Sequence, residues 1–416
     1  MLGALRMPSV YIKTYGCQMN ERDSEAVAAQ FIAKGYSIAH SEEKADVILL
    51  NTCSVRDHAE KKAIGKMQTI ASQIRRNGKE KPKEVVLGFL GCMAQSRGKE
   101  LIEKQRVDLV VGTQKFHRTA DYVDDILSGR RDAVCDVDEE KGSEAEIKDH
   151  VLALPGKQDQ VTGFVSIMQG CNQYCTFCIV PYTRGEERSR TIEDIVAECE
   201  ALVDHGVKEV TLLGQIVTSY GKREIGEKDG RSAFVQLLDA VNKIRGLERI
   251  RFTSPHPKGY GDDLAEAYGR LEKLCESAHI PVQSGSDRVL KLMHRGYTRK
   301  RFLEIIAKLR KAKPGIGITT DVIVGFPGET KEDFEETLSL AREVEFDNAY
   351  IFKYSPRKDT PAAAMPDQVP QELREERHAR LLDLVNELAE KRYQNFLYRK
   401  VQILVEGPSK RNASRL

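Results

Sequence analysis

The chain has 416 residues, 40% hydrophobic and 31% charged, with a formal net charge of +2 at pH 7. That balance suits two or three cored domains and excludes a disordered or low-complexity polymer, and so small a net charge excludes a global field that would gather nucleic acid. Residues 1–13 hold one arginine and no apolar run of leader length, and no later run reaches membrane-spanning length, so the expected location is the cytoplasm with no membrane partner.

From Val10 onward, short apolar runs alternate with amphipathic stretches. Strands are predicted at 10–13, 46–51, 84–90 and 107–111, helices at 21–34 and 57–75, and a short helix before the last strand. Such alternation predicts an N-terminal doubly wound parallel α/β domain over 8–135. Residues 136–160, rich in Glu, Lys, Asp and Gly with little periodicity, read as a linker. A second series follows, with strands at 163–168, 209–213, 249–252, 279–282, 316–324 and 349–352. The helices between them fall at 192–204, 233–244, 262–275, 300–312 and 331–344. Six such units over 161–370 fall short of the eight of a closed barrel and predict a partial, open-sided β/α barrel. Residues 371–398 have helical spacing and 401–405 read as one more, truncated β segment. Lys61, Lys62, Lys66, Arg75, Arg76, Lys79, Lys81 and Lys83 crowd one region, as a basic patch or a solvated helix face with its exit loop.

The nine cysteines are too few and too unevenly spaced for a disulfide scaffold, and in a reducing compartment their placement points to metal. Gln169-Gly-Cys171-Asn-Gln-Tyr-Cys175-Thr-Phe-Cys178 puts three thiols, spaced C-x3-C-x2-C, on one loop directly after the first barrel strand. No second pair of ligands follows at zinc spacing. Three thiolates on a four-iron cluster leave one iron open, and the amine and carboxylate of S-adenosylmethionine can chelate it, so that the reduced cluster can deliver an electron to the sulfonium. In the N-terminal domain Cys17, Cys53 and Cys92 each follow a different strand. Parallel strands share one carboxyl edge, so loops leaving their ends can bring these thiols together as a second set of three. Cys199 and Cys275 lie within helical patterns and Cys135 at the linker, where packing is the simpler reading.

The C-x3-C-x2-C run resembles the signature of the radical S-adenosylmethionine superfamily. That resemblance implies that Phe177 lies against the adenine, that Gly214 and Gln215 face the methionine amine, that Gln283 and Ser284 approach the ribose, and that Val324 and Gly325 meet the adenine edge through backbone. Over nearly the whole chain, Tyr15-Gly-Cys-Gln-Met-Asn20, Asn51-Thr-Cys-Ser-Val-Arg56, Gly91-Cys-Met-Ala94 and residues 170–190 are similar to the MiaB-type branch of the methylthiotransferases. The resemblance implies two 4Fe-4S clusters, two molecules of S-adenosylmethionine per turnover, a flavodoxin- or ferredoxin-like electron donor and a monomeric enzyme. Its substrate would be tRNA, methylthiolated at C2 of N6-isopentenyl-adenosine beside the anticodon. One S-adenosylmethionine would methylate a sulfur held on the auxiliary cluster, and a second would yield the radical that takes hydrogen from C2.

Other members of the family act on threonylcarbamoyl-adenosine or on a ribosomal protein, and an iron-sulfur scaffold would share the cysteines without the ligand-facing strand ends. Arg184, Arg188 and Arg190 are candidates for binding phosphate or the methionine carboxylate, or else pair with Glu186, Glu187 and Asp194. Tyr15, Tyr174 and Tyr182 are candidates for stacking on a splayed base, or for core packing. Where the family commonly reads Gly-Gln-Asn-Val-Asn-Ser-Tyr-Gly, this chain has Gly214-Gln-Ile-Val-Thr-Ser-Tyr-Gly221, and Ile216 cannot hydrogen-bond a ligand. Residues 399–416 match only the start of the family's RNA-binding TRAM domain, for which weaker tRNA affinity is the expectation.

Overall fold

A computed structural model describes residues 7–54, 57–76, 85–140, 160–407, 409, 412 and 414. Its first array contains β1 (Ser9–Tyr15), α1 (Gln18–Ala33), β2 (Ser37–Ile38), β3 (Val47–Thr52), α2 (Asp57–Arg76) and β4 (Val86–Leu90). It continues with α3 (Cys92–Arg97), α4 (Lys99–Gln105), β5 (Leu109–Val111), α5 (Thr119–Leu127) and β6 (Val134–Asp136). The strands form one six-stranded sheet in the order β2-β1-β3-β4-β5-β6, every pair parallel. β3 and β4 are buried along their whole length, which explains their unbroken apolar runs: helices cover both faces. On α2, Ala63, Met67 and Ile70 recur at helical spacing and supply the buried stripe.

The chain leaves β1 toward β2 on one side and returns to β3 on the other, so the winding reverses between β1 and β3. Such a switch point opens a crevice at the carboxyl ends of the strands. β2 and β6 were not predicted, because two or three residues of strand carry too little periodicity to register; α5, nine residues long, was not predicted either.

The second array contains β7 (Thr162–Ser166), β8 (Met168–Gln169), α6 (Val180–Arg184), β9 (Arg188–Ser189), α7 (Ile192–Asp204), β10 (Glu209–Leu213), α8 (Ala233–Asn242) and β11 (Arg249–Phe252). It continues with α9 (Asp262–Arg270), β12 (Ser277–His279), α10 (Asp287–Leu292), α11 (Arg299–Ala312), β13 (Gly317–Val324), α12 (Lys331–Val344), β14 (Asn348–Lys353) and α13 (Gln371–Tyr393). Two three-stranded parallel sheets, β11-β10-β7 and β12-β13-β14, are joined by a parallel bridge from Ile250 to Leu274. Six parallel strands thus follow one another in chain order around a single core that includes Val165, Leu212, Ile250, Ile280, Ile318 and Val322. The partial barrel expected from the sequence is present.

Three of the boundary differences have a plain physical cause. α9 stops at Arg270 rather than 275 because the segment after it is drawn to the edge of β11: Ile250 donates to the Lys273 carbonyl at 2.7 Å and Cys275 to the Ile250 carbonyl at 3.0 Å. β12 ends at His279, just before Pro281, which has no amide proton to continue the ladder. Residues 401–405 form no strand; Val401 and Ile403 are 60% and 73% exposed, and without a neighbouring edge an alternating pattern cannot pair its backbone. Most of the predicted linker, 141–159, and the residues Lys79, Lys81 and Lys83 lie outside the described residues. α1 lies against β7 and α3 against α6, so the two arrays meet where their cysteine loops emerge.

Candidate active site

In the first array each cysteine stands where a strand hands over to a helix. Cys17 is the N-cap residue of α1 and Cys92 is the first residue of α3, while Cys53 follows β3 and precedes α2. Helix N-termini present unpaired N–H groups and positive dipole ends, which favour thiolate. Two fully buried asparagines tie the turns together. Asn20 accepts from the Cys17 backbone at 3.4 Å and donates to Asn51 at 3.1 Å, while the Asn51 side chain donates to the Asn20 carbonyl at 2.9 Å. Gly91 completes the packing. Its φ is +91°, and a Cβ there would stand 2.3 Å from Asn51 Oδ1, so only glycine lets the Cys92 turn approach this pair. A hydrogen bond with Cys53 holds the Cys17 thiol below its ordinary value, with help from the Arg184 charge. Cys92 is pushed up, by burial first.

In the second array Cys171, Cys175 and Cys178 occupy the loop between β8 and α6, and Cys175 interacts electrostatically with both of the others. Burial pushes the Cys171 thiol up to about 11 and that of Cys178 up to about 12. The loop is closed by a backbone crossing: Cys171 N–H donates to the Gly185 carbonyl at 3.0 Å. Thr176 fixes the other side, its N–H on Met293 O and its hydroxyl on Leu292 O at 2.9 Å. Arg295, 6% exposed, donates from Nη1 to Cys175 Sγ at 3.3 Å and from Nη2 to the Pro281 carbonyl at 3.2 Å. No sequence signal marked Arg295. It is 120 residues from the thiol it touches.

At the strand ends, Gln215 has a buried Oε1 with no partner among the described residues, an acceptor that a bound ammonium group would satisfy. Phe177 stacks edge-on to Phe326 with centroids 6.4 Å apart. Gln283 holds a φ of +69°, a left-handed conformation unusual for a residue with a side chain and a form of strain that clusters at ligand sites. Ser284 differs from its expected ribose-facing role. It is 1% exposed and turns inward, accepting from Ser286 N–H at 3.2 Å beside Thr337. At Val324 and Gly325 the backbone is also engaged: Tyr354 donates to the Val324 carbonyl, and the Gly325 N–H goes to Glu329 at 3.1 Å, leaving only carbonyl lone pairs for an adenine there. The departure at Thr218 is absorbed by the fold, since its hydroxyl accepts from His256 N–H at 3.0 Å and donates to the His256 carbonyl.

The three arginines separate. Arg184 is 3% exposed and donates to Asp23 of α1 at 2.9 Å; Arg190, 5% exposed, pairs with Glu198 and donates to the Ser166 carbonyl at 2.8 Å. Neither is a surface phosphate ligand, and their partners are not the predicted Glu186, Glu187 and Asp194 carboxylates. Arg188 is half-buried on β9. Tyr174 and Tyr182 are 49% and 54% exposed and meet edge-to-face beside the cysteine loop, as a stacking platform would require.

A profile of the Radical SAM superfamily matches residues 165–341, and one of the uncharacterized protein family UPF0004 matches 9–112. A tRNA-2-methylthio-N(6)-dimethylallyladenosine synthase of Akkermansia muciniphila is 52% identical over 99% of this chain and 90% of its own length. Proteins of the same name from Opitutus terrae and Methylacidiphilum infernorum are 52% and 51% identical over 97% and 98% of this chain, and 88% and 86% of their own lengths. The chain belongs to the MiaB-type methylthiotransferases, a family of radical S-adenosylmethionine enzymes. Among solved structures, the radical S-adenosylmethionine methyltransferase TsrM of Kitasatospora setae shares the fold at a TM-score of 0.61 and 14% identity, over 85% of this chain and 75% of that one.

Membership in this methylthiotransferase family implies a four-iron cluster and S-adenosylmethionine, and the donor set fits both. The Cys171 loop offers three thiols with no fourth, Arg295 supplies a hydrogen-bond donor to one of them, and the unpartnered Gln215 oxygen stands at a strand end. Among the described residues no three His, Cys, Asp or Glu side chains converge on one metal ion. A four-iron cluster does not ask for that, because each thiolate binds a different iron and stands wider apart.

Proposed function

We propose that this chain methylthiolates C2 of N6-isopentenyl-adenosine beside the anticodon of tRNA, using two 4Fe-4S clusters and two molecules of S-adenosylmethionine per turnover. Residues 8–135 serve as the sulfur-bearing domain and 161–370 as the radical domain. Cys171, Cys175 and Cys178 hold one cluster; Cys17, Cys53 and Cys92 hold the other. The observation that supports the reading is the contact of α1 with β7 and of α3 with α6, since Cys17 caps α1, Cys92 opens α3 and the Cys171–Cys178 loop runs from beyond β7 into α6. When bound, the clusters and S-adenosylmethionine supply a radical able to take hydrogen from an aromatic C–H, together with the methylthio group.

The protein's own residues orient and enclose. Gln215 accepts from the methionine amine, Phe177 covers the adenine and Gln283 borders the ribose, while Tyr174 and Tyr182 offer exposed faces to an unstacked base. Arg188 is the one of the three arginines retained as a phosphate contact. The test is an anaerobic assay with dithionite, S-adenosylmethionine and isopentenylated tRNA, scoring methylthio-adenosine and 5'-deoxyadenosine by mass spectrometry. Wild type is expected to yield both, Cys175→Ala neither, and Cys53→Ala 5'-deoxyadenosine without modified tRNA. Cleavage by wild type with no tRNA product would overturn the substrate.

A further inference from the structure

Arg184 lies six residues after Cys178, at the end of α6, yet its guanidinium crosses into the other array. There Nη2 donates to Asp23 at 2.9 Å, with the two side chains 3% and 1% exposed. Among the described residues its buried Nη1 has no partner in hydrogen-bond geometry, and neither has Asp23 Oδ1. Burying a charged donor unpaired is costly, and proteins rarely leave one so without a ligand to meet it. The Cys92 thiol lies within hydrogen-bond reach of the guanidinium, and Cys17 interacts with it electrostatically. An arginine side chain stays cationic in proteins, so the charge it carries into this interface is fixed. A second contact locks the approach, the Thr113 hydroxyl donating to the Thr183 carbonyl at 2.7 Å within the buried interface. The guanidinium therefore reaches the Cys17 and Cys92 turns only while α6 is docked on α3.

We infer that Arg184 is a positioning residue for the auxiliary cluster: its unpartnered N–H donates to a sulfur of the cluster held by Cys17, Cys53 and Cys92, and its fixed charge favours the reduced state. The inference rests on the proposed assignment of those three cysteines. Reduction adds a negative charge to a cluster, so a cation and an N–H···S bond raise its potential, and their loss lowers it. Because α6 leaves the other cluster's loop, the charge that tunes one cluster is carried by the segment that binds the other.

The test uses the full-length chain with Cys171, Cys175 and Cys178 all replaced by alanine, which leaves only the auxiliary site. Iron content and an EPR-monitored redox titration are compared with and without Arg184→Met. The expected result is unchanged iron and a reduced-to-oxidised ratio at least tenfold lower at fixed potential, equivalent to about 59 mV for a one-electron couple. Arg184→Lys, which keeps the charge but loses the fork, should recover part of the shift. Full iron with an unchanged potential overturns the role of Arg184 and leaves the cluster assignment standing. No iron in the triple variant with Arg184 intact overturns the assignment and the inference with it. If Arg184→Met does not fold, Asp23→Asn removes the counter-charge and should raise the potential; no change or a fall overturns the inference.

Discussion

A guanidinium beside a thiol gains strength as the sulfur takes on charge, which makes Arg295 the residue whose loss the radical cluster should feel first. Arg295→Met deletes the donor to Cys175 and leaves Tyr297 to satisfy the Pro281 carbonyl alone. S-adenosylmethionine cleavage is expected to slow at least about tenfold, the worth of one charge-assisted hydrogen bond, with folding retained by circular dichroism. His256 makes a different kind of demand. Burial, with Arg295, Lys258 and Lys222 nearby, depresses its pKa to about 2, so the folded chain keeps it neutral. Its Nδ1 accepts from the Lys258 N–H, which assigns the proton to Nε2. The unfolded chain takes up a proton below about 6.5 and the folded chain does not, so stability is full above that pH and falls as pH drops from about 6.5 toward 2. Denaturant midpoints between pH 7 and 5 should decline, and His256→Gln should flatten that decline. At this scale the sequence marks candidate ligands but not their companions. Six cysteines stand out in the sequence because thiols at strand ends have a chemistry of their own, whereas the direction of Arg184 depends on Asp23, 161 residues away, and that of Arg190 on which face of α7 carries Glu198.

Elements were legible in proportion to their length. α7 and α12 begin and end where their apolar spacing predicts, each opened by a threonine whose hydroxyl caps the helix. The misses at α9 and 401–405 share a cause: strand edges recruit or refuse neighbours, and no local pattern reports which edge is free. The tightest constraint on any element is at Gly170. Its φ is +82°, and an added Cβ would lie 1.8 Å from the Glu186 carbonyl, where the chain crosses back toward β9. Gly170→Ala must therefore push the β8–β9 ribbon off the cysteine loop. On the proposed two-cluster assignment, reconstituted protein is expected to lose about half of its iron, while a distant change such as Gly206→Ala should leave the iron count intact.

Across the whole molecule the two arrays are held by charges that cross the contact in both directions. α1 sends Asp23 to Arg184 and Arg22 toward Glu198, which already holds Arg190. Glu198→Leu would leave Arg22 and Arg190 buried without their shared counter-charge, a loss of about 3–5 kcal/mol. Urea unfolding should register that loss, and limited proteolysis should cut between the arrays sooner than in wild type. This contact was not legible in advance, since Arg22, Asp23 and Glu198 read in isolation as ordinary helical surface charges and Arg184 and Arg190 as candidate ligand contacts.

The same contact bears on which changes in length the chain can survive. From Cys178 the backbone runs through α6 to Arg184 with no slack: one end is held by the cysteine loop and the other by Asp23. One residue inserted there would turn every later side chain about 100° around the helix axis and swing Arg184 away from its carboxylate. The interval should accept many exchanges of residue type and almost no insertion or deletion, behaving as a ruler that spaces one thiol triad from the other.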